Sequence, residues 1–153
     1  MAFSELLRPE GVFADLKASS KKQAFQQLSS LAAKICGEDE REILDALLER
    51  ERLGTTGVGL GIAIPHAKLP GLNHLYALFA RLENPIDFEA IDEDPVDLVF
   101  LLLAPESDSA NHLKALARVS RLLRDEEMCA KLRGSEGADA MYALLAGSIA
   151  QAA

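Results

Sequence analysis

Apolar positions along this chain recur at two different spacings, and the places where one spacing gives way to the other mark its elements. Val12 to Asp15 reads as a short first strand. Between Ser20 and Gly37, the residues Ala24, Phe25, Leu28, Leu31, Ala32 and Ile35 follow helical spacing. Ser20 can cap that helix and Gly37 can end it. A second helix follows directly, with Asp39 as cap, Ile43, Ala46, Leu47 and finally Leu53 facing inward, and Gly54 as the stop. From Gly57 to His66 the pattern changes to a glycine-rich loop plus a strand. Leu75 to Leu82 reads as another strand, ending at a turn on Asn84-Pro85, and Asp94-Pro95 marks a further turn. Val96 to Ala104 is almost continuously apolar, as expected of a central strand covered on both faces. Two or three helices complete the chain, from about Ser109 to Arg124, near Asp125 to Arg133, and from Ser135 to about Ile149. Helices alternating with strands predict an α/β fold. No repeat, low-complexity segment or linker divides it, so residues 1–153 are expected to form a single domain.

Charge narrows the choice of partner. Sixteen basic against 24 acidic residues leave a formal net charge of −8, which disfavours nucleic acid or an anionic membrane and leaves a basic protein as the plausible partner. The two cysteines, Cys36 and Cys129, lie far apart in apolar helical contexts with no paired metal spacing, which suits a reduced, cytoplasmic setting. Met1 to Glu10 carries Glu5, Arg8 and Pro9 rather than the apolar core of a signal peptide, and no apolar run approaches the ~20 residues of a membrane span.

Candidate chemistry concentrates on His66. It ends the stretch Gly57-Val58-Gly59-Leu60-Gly61-Ile62-Ala63-Ile64-Pro65-His66. Pro65 fixes its own backbone and biases Ile64 toward extended geometry, so the imidazole should leave a strand end in a defined direction. With an unperturbed pKa near ~6.5, a neutral ring there is a candidate nucleophile toward phosphorus or carbonyl carbon. A histidine so placed is also commonly satisfied by a backbone carbonyl. His112 falls in the first turn of the helix begun by Asp108 and Ser109, where free N–H groups and the helix dipole favour an anion, although a surface cap is the plainer alternative. His74, after Gly71-Leu72-Asn73, has nothing to specialise it. A phosphoryl group on His66 would need donors around it. Arg50, in Leu48-Glu49-Arg50-Glu51-Arg52, is the better candidate and Arg52 its rival, while Thr55, Thr56 and Gly57 offer further donors at the loop entrance. Other motifs fail on spacing. The glycines do not form a dinucleotide fingerprint, no G-K-[ST] follows, no histidines lie four apart for zinc, and there is no G-x-S-x-G elbow.

These residues together resemble the enzyme IIA proteins of the bacterial phosphoenolpyruvate-dependent phosphotransferase system, in the mannitol and fructose class and most closely its nitrogen-regulatory branch. The likeness runs nearly the full length. It rests on Leu48-Glu49-Arg50-Glu51, Thr55-Thr56-Gly57-Val58-Gly59, Gly61-Ile62-Ala63-Ile64-Pro65-His66, Pro85-Ile86-Asp87-Phe88, Ala90-Ile91-Asp92, Pro95-Val96-Asp97-Leu98-Val99-Phe100 and His112-Leu113. The resemblance implies a mixed five-stranded sheet with helices on both faces. It also implies that His66 accepts a phosphoryl group from the histidine phosphocarrier protein, with His112 as second active-site histidine, Arg50 as supporting arginine, and neither metal nor cofactor. The branch commonly has asparagine where this chain has Leu60 and glycine where it has Ala67. The alternatives that remain are a sugar-transport enzyme IIA passing phosphate to a IIB cysteine, a regulatory module without onward transfer, and a ligand-sensing domain. For the phosphoryl-transfer reading, the −8 charge favours encounter with a donor bearing a basic docking face, and Ile62, Ile64 and Leu69 are expected at the desolvated centre of that contact.

Overall fold

The computed structural model describes residues 6–152, and side chains for residues 6–148; the reading of residues 1–5 lies outside it. A short 3-10 turn, Pro9–Gly11, leads into β1 (Val12–Leu16). Helices α1 (Lys21–Cys36) and α2 (Glu40–Leu53) follow, then β2 (Gly57–Gly59), β3 (Ile62–Ala63), β4 (His66–Leu69), β5 (Tyr76–Ile86) and β6 (Val96–Pro105). Three helices close the chain: α3 (Ser109–Leu123), α4 (Glu126–Gly134) and α5 (Ala138–Ala152).

The helix ends obey local chemistry. Ser20 accepts from the Gln23 N–H at 3.1 Å, and Gly37 closes α1 in the left-handed region at φ +79°. Asp39 accepts from the Glu42 N–H at 3.1 Å, with Glu40 and Glu42 in the first turn of α2 and Arg50 and Arg52 in the last, matching the helix dipole at both ends.

The sheet runs β1-β5-β6-β3-β2, with β4 also paired to β6. β6 is therefore central, antiparallel to β5 and parallel to β3 and β4. Its buried residues alternate between two cores. Leu98, Phe100 and Leu102 join Val119, Leu123, Leu132, Met141 and Leu145 under α3, α4 and α5. Val99, Leu101 and Leu103 join Phe25, Leu28, Ile43 and Leu47 under α1 and α2. Helices thus cover both faces of a mixed sheet, as expected. Among the described residues no helix is long and apolar enough to cross a membrane.

Three expectations are corrected. The sheet has six strands rather than five, because the glycine segment breaks into β2 and β3 around a tight turn at Leu60 and Gly61, where φ is +60° and +79°. Asn84-Pro85 is not a turn but part of β5, whose register against β6 shifts between Arg81 and Ile86. That irregularity accommodates a proline with no N–H to give the ladder and returns Ile86 to the core. Leu53, at the last position of α2, is 82% exposed rather than facing inward.

Candidate functional site

His66 is the first residue of β4, paired across from Leu102 of the central strand. The strand is held at its start by the Leu102 N–H, which donates to the Pro65 carbonyl at 3.0 Å. The imidazole is fixed at both nitrogens. Arg50 Nε, which always carries hydrogen, donates to His66 Nε2 at 3.2 Å, so Nε2 presents its lone pair. His66 Nδ1 then carries the proton and donates to the Ile64 carbonyl at 2.9 Å. Arg50 is itself held, since Nη1 donates to the Gly54 carbonyl at the end of α2, 3.1 Å away.

His112 enters from the opposite side, on the first turn of α3. Asp108 caps that turn by accepting from the Asn111 N–H at 3.4 Å. The His112 ring meets His66 edge-on, with centroids 5.5 Å apart and planes at 70°. It is only 5% exposed, and its buried Nε2 has no hydrogen-bond partner. Burial, reinforced by the neighbouring His66 and Lys68, pushes the His112 pKa down to about 4. Burial and the Arg50 charge also lower the His66 pKa, against the opposing pull of the Ile64 carbonyl and Glu51. Both rings are therefore neutral near pH 7.

Arg50, His66 and His112 line one cavity of about 530 Å³ together with Lys68 and Ser109. Lys68 Nζ donates to Ser109 Oγ at 2.8 Å, bridging β4 to the α3 N-terminus. Sequence reasoning passed over both, although a signal existed: on a strand beginning at His66, Lys68 two residues later shares its face while Ala67 and Leu69 are buried. Leu53, Leu113 and Leu116 supply apolar lining, with Leu53 and Leu113 exposed. Ile62, Ile64 and Leu69, expected at a partner contact, are instead core residues below 6% exposure. The alternation of a buried strand turns them inward.

Arg52 does not reach the site; it pairs with Glu49 at 3.0 Å on an exposed helix end. Thr55, Thr56 and Gly57 do not line the cavity either. Thr56 donates through its backbone N–H and its hydroxyl to Glu51 at 3.0 and 2.6 Å, and Lys21 pairs with the same largely buried carboxylate at 2.7 Å. Thr55 donates to the Phe88 carbonyl at 3.3 Å, and a Cβ on Gly57 would lie 2.8 Å from Ala90 Cβ. His74 lies apart, bonded to the Leu75 carbonyl and stacked at 4.3 Å on Tyr76. Among the described residues no group of three or more His, Cys, Asp or Glu could hold a metal ion.

Residues 5–148 match the model of the phosphoenolpyruvate-dependent sugar phosphotransferase system EIIA 2 family. The chain belongs to that family. It is 56% identical over 146 residues to a nitrogen regulatory protein of Bradyrhizobium diazoefficiens, covering 95% of each chain. Its fold superposes on the crystal structure of nitrogen regulatory protein IIA-Ntr from Neisseria meningitidis with a TM-score of 0.89 at 30% identity, covering 95% of this chain and 99% of the other. It also resembles the mannitol enzyme IIA of Escherichia coli solved in complex with phosphorylated mannitol enzyme IIB, at a TM-score of 0.77 and 26% identity over 92% of this chain and 97% of that one. As an EIIA type 2 protein the chain is a phosphotransferase component, and its likeness to nitrogen regulatory proteins supports a phosphocarrier of the nitrogen branch.

Proposed function

We propose that His66 is the phosphoryl acceptor, that the group is carried on Nε2, and that the donor is the histidine phosphocarrier protein. The observation that carries this reading is the pair of bonds on one ring, with Nδ1–H on the Ile64 carbonyl and Nε2 facing the Arg50 guanidinium. A neutral ring with its lone pair at Nε2 attacks phosphorus. As the new N–P bond forms, the N–P bond to the donor breaks and its electron pair returns to the donor imidazole. Arg50, bonded to Nε2 before transfer, moves its donors onto the phosphoryl oxygens as the lone pair is consumed. His112, neutral and with an unpartnered nitrogen, offers an uncharged donor to the same oxygens, as does the Ser109 hydroxyl at the start of α3, while Lys68 adds a cationic one. Positioning and charge stabilisation do the work, since phosphoryl transfer asks little covalent chemistry of the protein.

The Ile64 carbonyl has a second consequence. It keeps the proton on Nδ1 after transfer, so the phosphorylated ring remains a good leaving group and the phosphoryl stays transferable. Thr55, Thr56 and Gly57 act here at one remove, anchoring the chain between Arg50 and His66 through Glu51 and Phe88. Leu53 and Leu113 form the apolar rim on which the donor seats, in the cytoplasm where Cys36 and Cys129 stay reduced. A IIB acceptor or a regulated protein would read the same rim, because a phosphoryl dianion between two exposed leucines changes what can dock there.

The test is intact mass after incubation with phosphoenolpyruvate, enzyme I and the phosphocarrier, followed by phosphorus NMR of the product. One phosphoryl group on Nε2, absent from His66→Gln, is expected. A phosphoryl group on Nδ1, or one retained by His66→Gln, overturns the assignment.

A further inference from the structure

The hairpin of β2 and β3 carries a second exposed apolar group, at the opposite end of the central strand from His66. β3 pairs with Leu98 and Val99, whereas His66 pairs with Leu102, four residues or roughly 13 Å further along at the usual strand rise. Val58, Leu60 and Ile91 are all exposed there, Leu60 to 57% and Ile91 to 74%. Two hydrogen bonds hold their segments together: Ile91 N–H to the Gly57 carbonyl at 3.1 Å, and Leu60 N–H to Asp92 Oδ2 at 2.9 Å. The first of these occupies one carbonyl of β2, the terminal strand of the sheet.

Leu60 is the informative residue. Its φ of +60° lies in the left-handed region, which asparagine or glycine adopts with less strain than leucine. Its backbone N–H and carbonyl are both used, by Asp92 and by Arg133 Nη2 at 2.9 Å, but those bonds are indifferent to the side chain. The fold gains nothing from an exposed apolar group held in an unfavourable backbone conformation, which directs the explanation to a contact outside the chain.

The charge around this group specifies the contact. Asp87, Glu89, Asp92, Glu93 and Asp94 are all exposed, and a groove of about 460 Å³ beside Ile91 is lined by Asp87, Glu89 and Glu93 with Ala90 and Pro95. Glu89 and Glu93 also stand at positive φ, +55° and +65°. Asp97 is already neutralised by Arg133, at 2.9 Å. Among the described residues the carboxylates do not gather into a group able to hold a metal ion, so their charge is spread over a surface instead of focused on a point.

We propose that the Val58, Leu60 and Ile91 surface is a docking site, separate from the His66 cavity, for a protein segment whose apolar side chains are flanked by lysine or arginine. A second copy of this chain would set carboxylates against carboxylates, and nucleic acid or anionic lipid would be repelled. Because the two sites lie at different ends of β6, a partner held here leaves His66 open, and can stay bound while the phosphoryl group comes and goes.

The experiment is an NMR titration of the labelled full chain with a short synthetic amphipathic peptide bearing leucines flanked by lysine and arginine, against a matched peptide in which glutamate replaces the basic residues. The basic peptide is expected to shift Val58, Leu60 and Ile91 and to weaken as salt rises, while the acidic peptide shifts nothing. Leu60→Asn with Ile91→Ser should weaken binding at least about tenfold while keeping the fold and phosphoryl acceptance, because asparagine suits the backbone at position 60. Glu89→Lys with Glu93→Lys should weaken it through charge alone. Shifts centred on Leu53 and Leu113, equal binding by either double variant, or binding of the acidic peptide overturns the proposal. So does concentration-dependent broadening of these resonances without peptide, which assigns the surface to a second copy.

Discussion

One continuous segment, from Gly57 to Leu69, contributes to both the hairpin surface and the His66 cavity, yet the two ends are built on opposite principles. At the His66 end, exposed Leu53 and Leu113 border two imidazoles that burial keeps neutral, with Arg50 and Lys68 as cations beside them. At the hairpin end, exposed Leu60 and Ile91 border carboxylates, with Arg133 already paired to Asp97. Both ends offer apolar contact, but only the first can receive an anion. The difference teaches that exposed leucine marks a contact without naming it; the neighbouring charge decides what arrives.

The largest expected effect breaks the first end alone. His66→Gln should abolish phosphoryl acceptance, seen as loss of the mass increment, with peptide binding at the hairpin intact. Next comes Arg50→Ala, which removes the donor on Nε2 and should slow acceptance roughly a hundredfold in single-turnover kinetics. His112→Gln should slow it less, about tenfold, because a neutral donor is replaced by another neutral donor.

His112 also sets a pH dependence at the first end. Its folded pKa of about 4 lies below the ordinary 6.5, so between those values the unfolded chain binds more protons than the folded one. Stability is then full above pH 6.5 and falls as pH drops toward 4, by at most about 3 kcal/mol. Urea midpoints at pH 7.5 and pH 5 measure this, and His112→Gln should shrink the difference to what the lowered His66 pKa leaves. The smallest effect sharpens the second end. Leu60→Asn should raise stability by about 1 kcal/mol, seen as a higher urea midpoint, by relieving a left-handed leucine. A drop instead would mean that the exposed side chain serves the fold.

Legibility in the sequence followed the range of the forces involved. Ser20, Gly37 and Asp39 act on N–H groups within a turn of themselves, so the ends of α1 and the start of α2 could be read directly. The apolar run Val96 to Ala104 named the central strand because burial on both faces leaves no polar position. Asn84-Pro85 misled because a local breaker was outweighed by the pairing of β5 with β6 on either side of it. Leu53, Ile62, Ile64 and Leu69 misled in a related way: apolar character says that a residue avoids water, not which surface relieves it.

By itself the sequence determined the α/β order of elements, the caps, and His66 delivered beside Pro65, because these depend on neighbours in the chain. The tertiary structure decided that Arg50 rather than Arg52 meets the ring, that His112 closes on it from α3, and that Thr55, Thr56 and Gly57 turn to Glu51, Phe88 and Ala90 instead of the cavity. It also decided the tautomer. The proton sits on His66 Nδ1 because the chain folds an always-protonated Arg50 nitrogen onto Nε2 while leaving the Ile64 carbonyl against Nδ1, and a contact across 16 residues is set by packing, not by spacing.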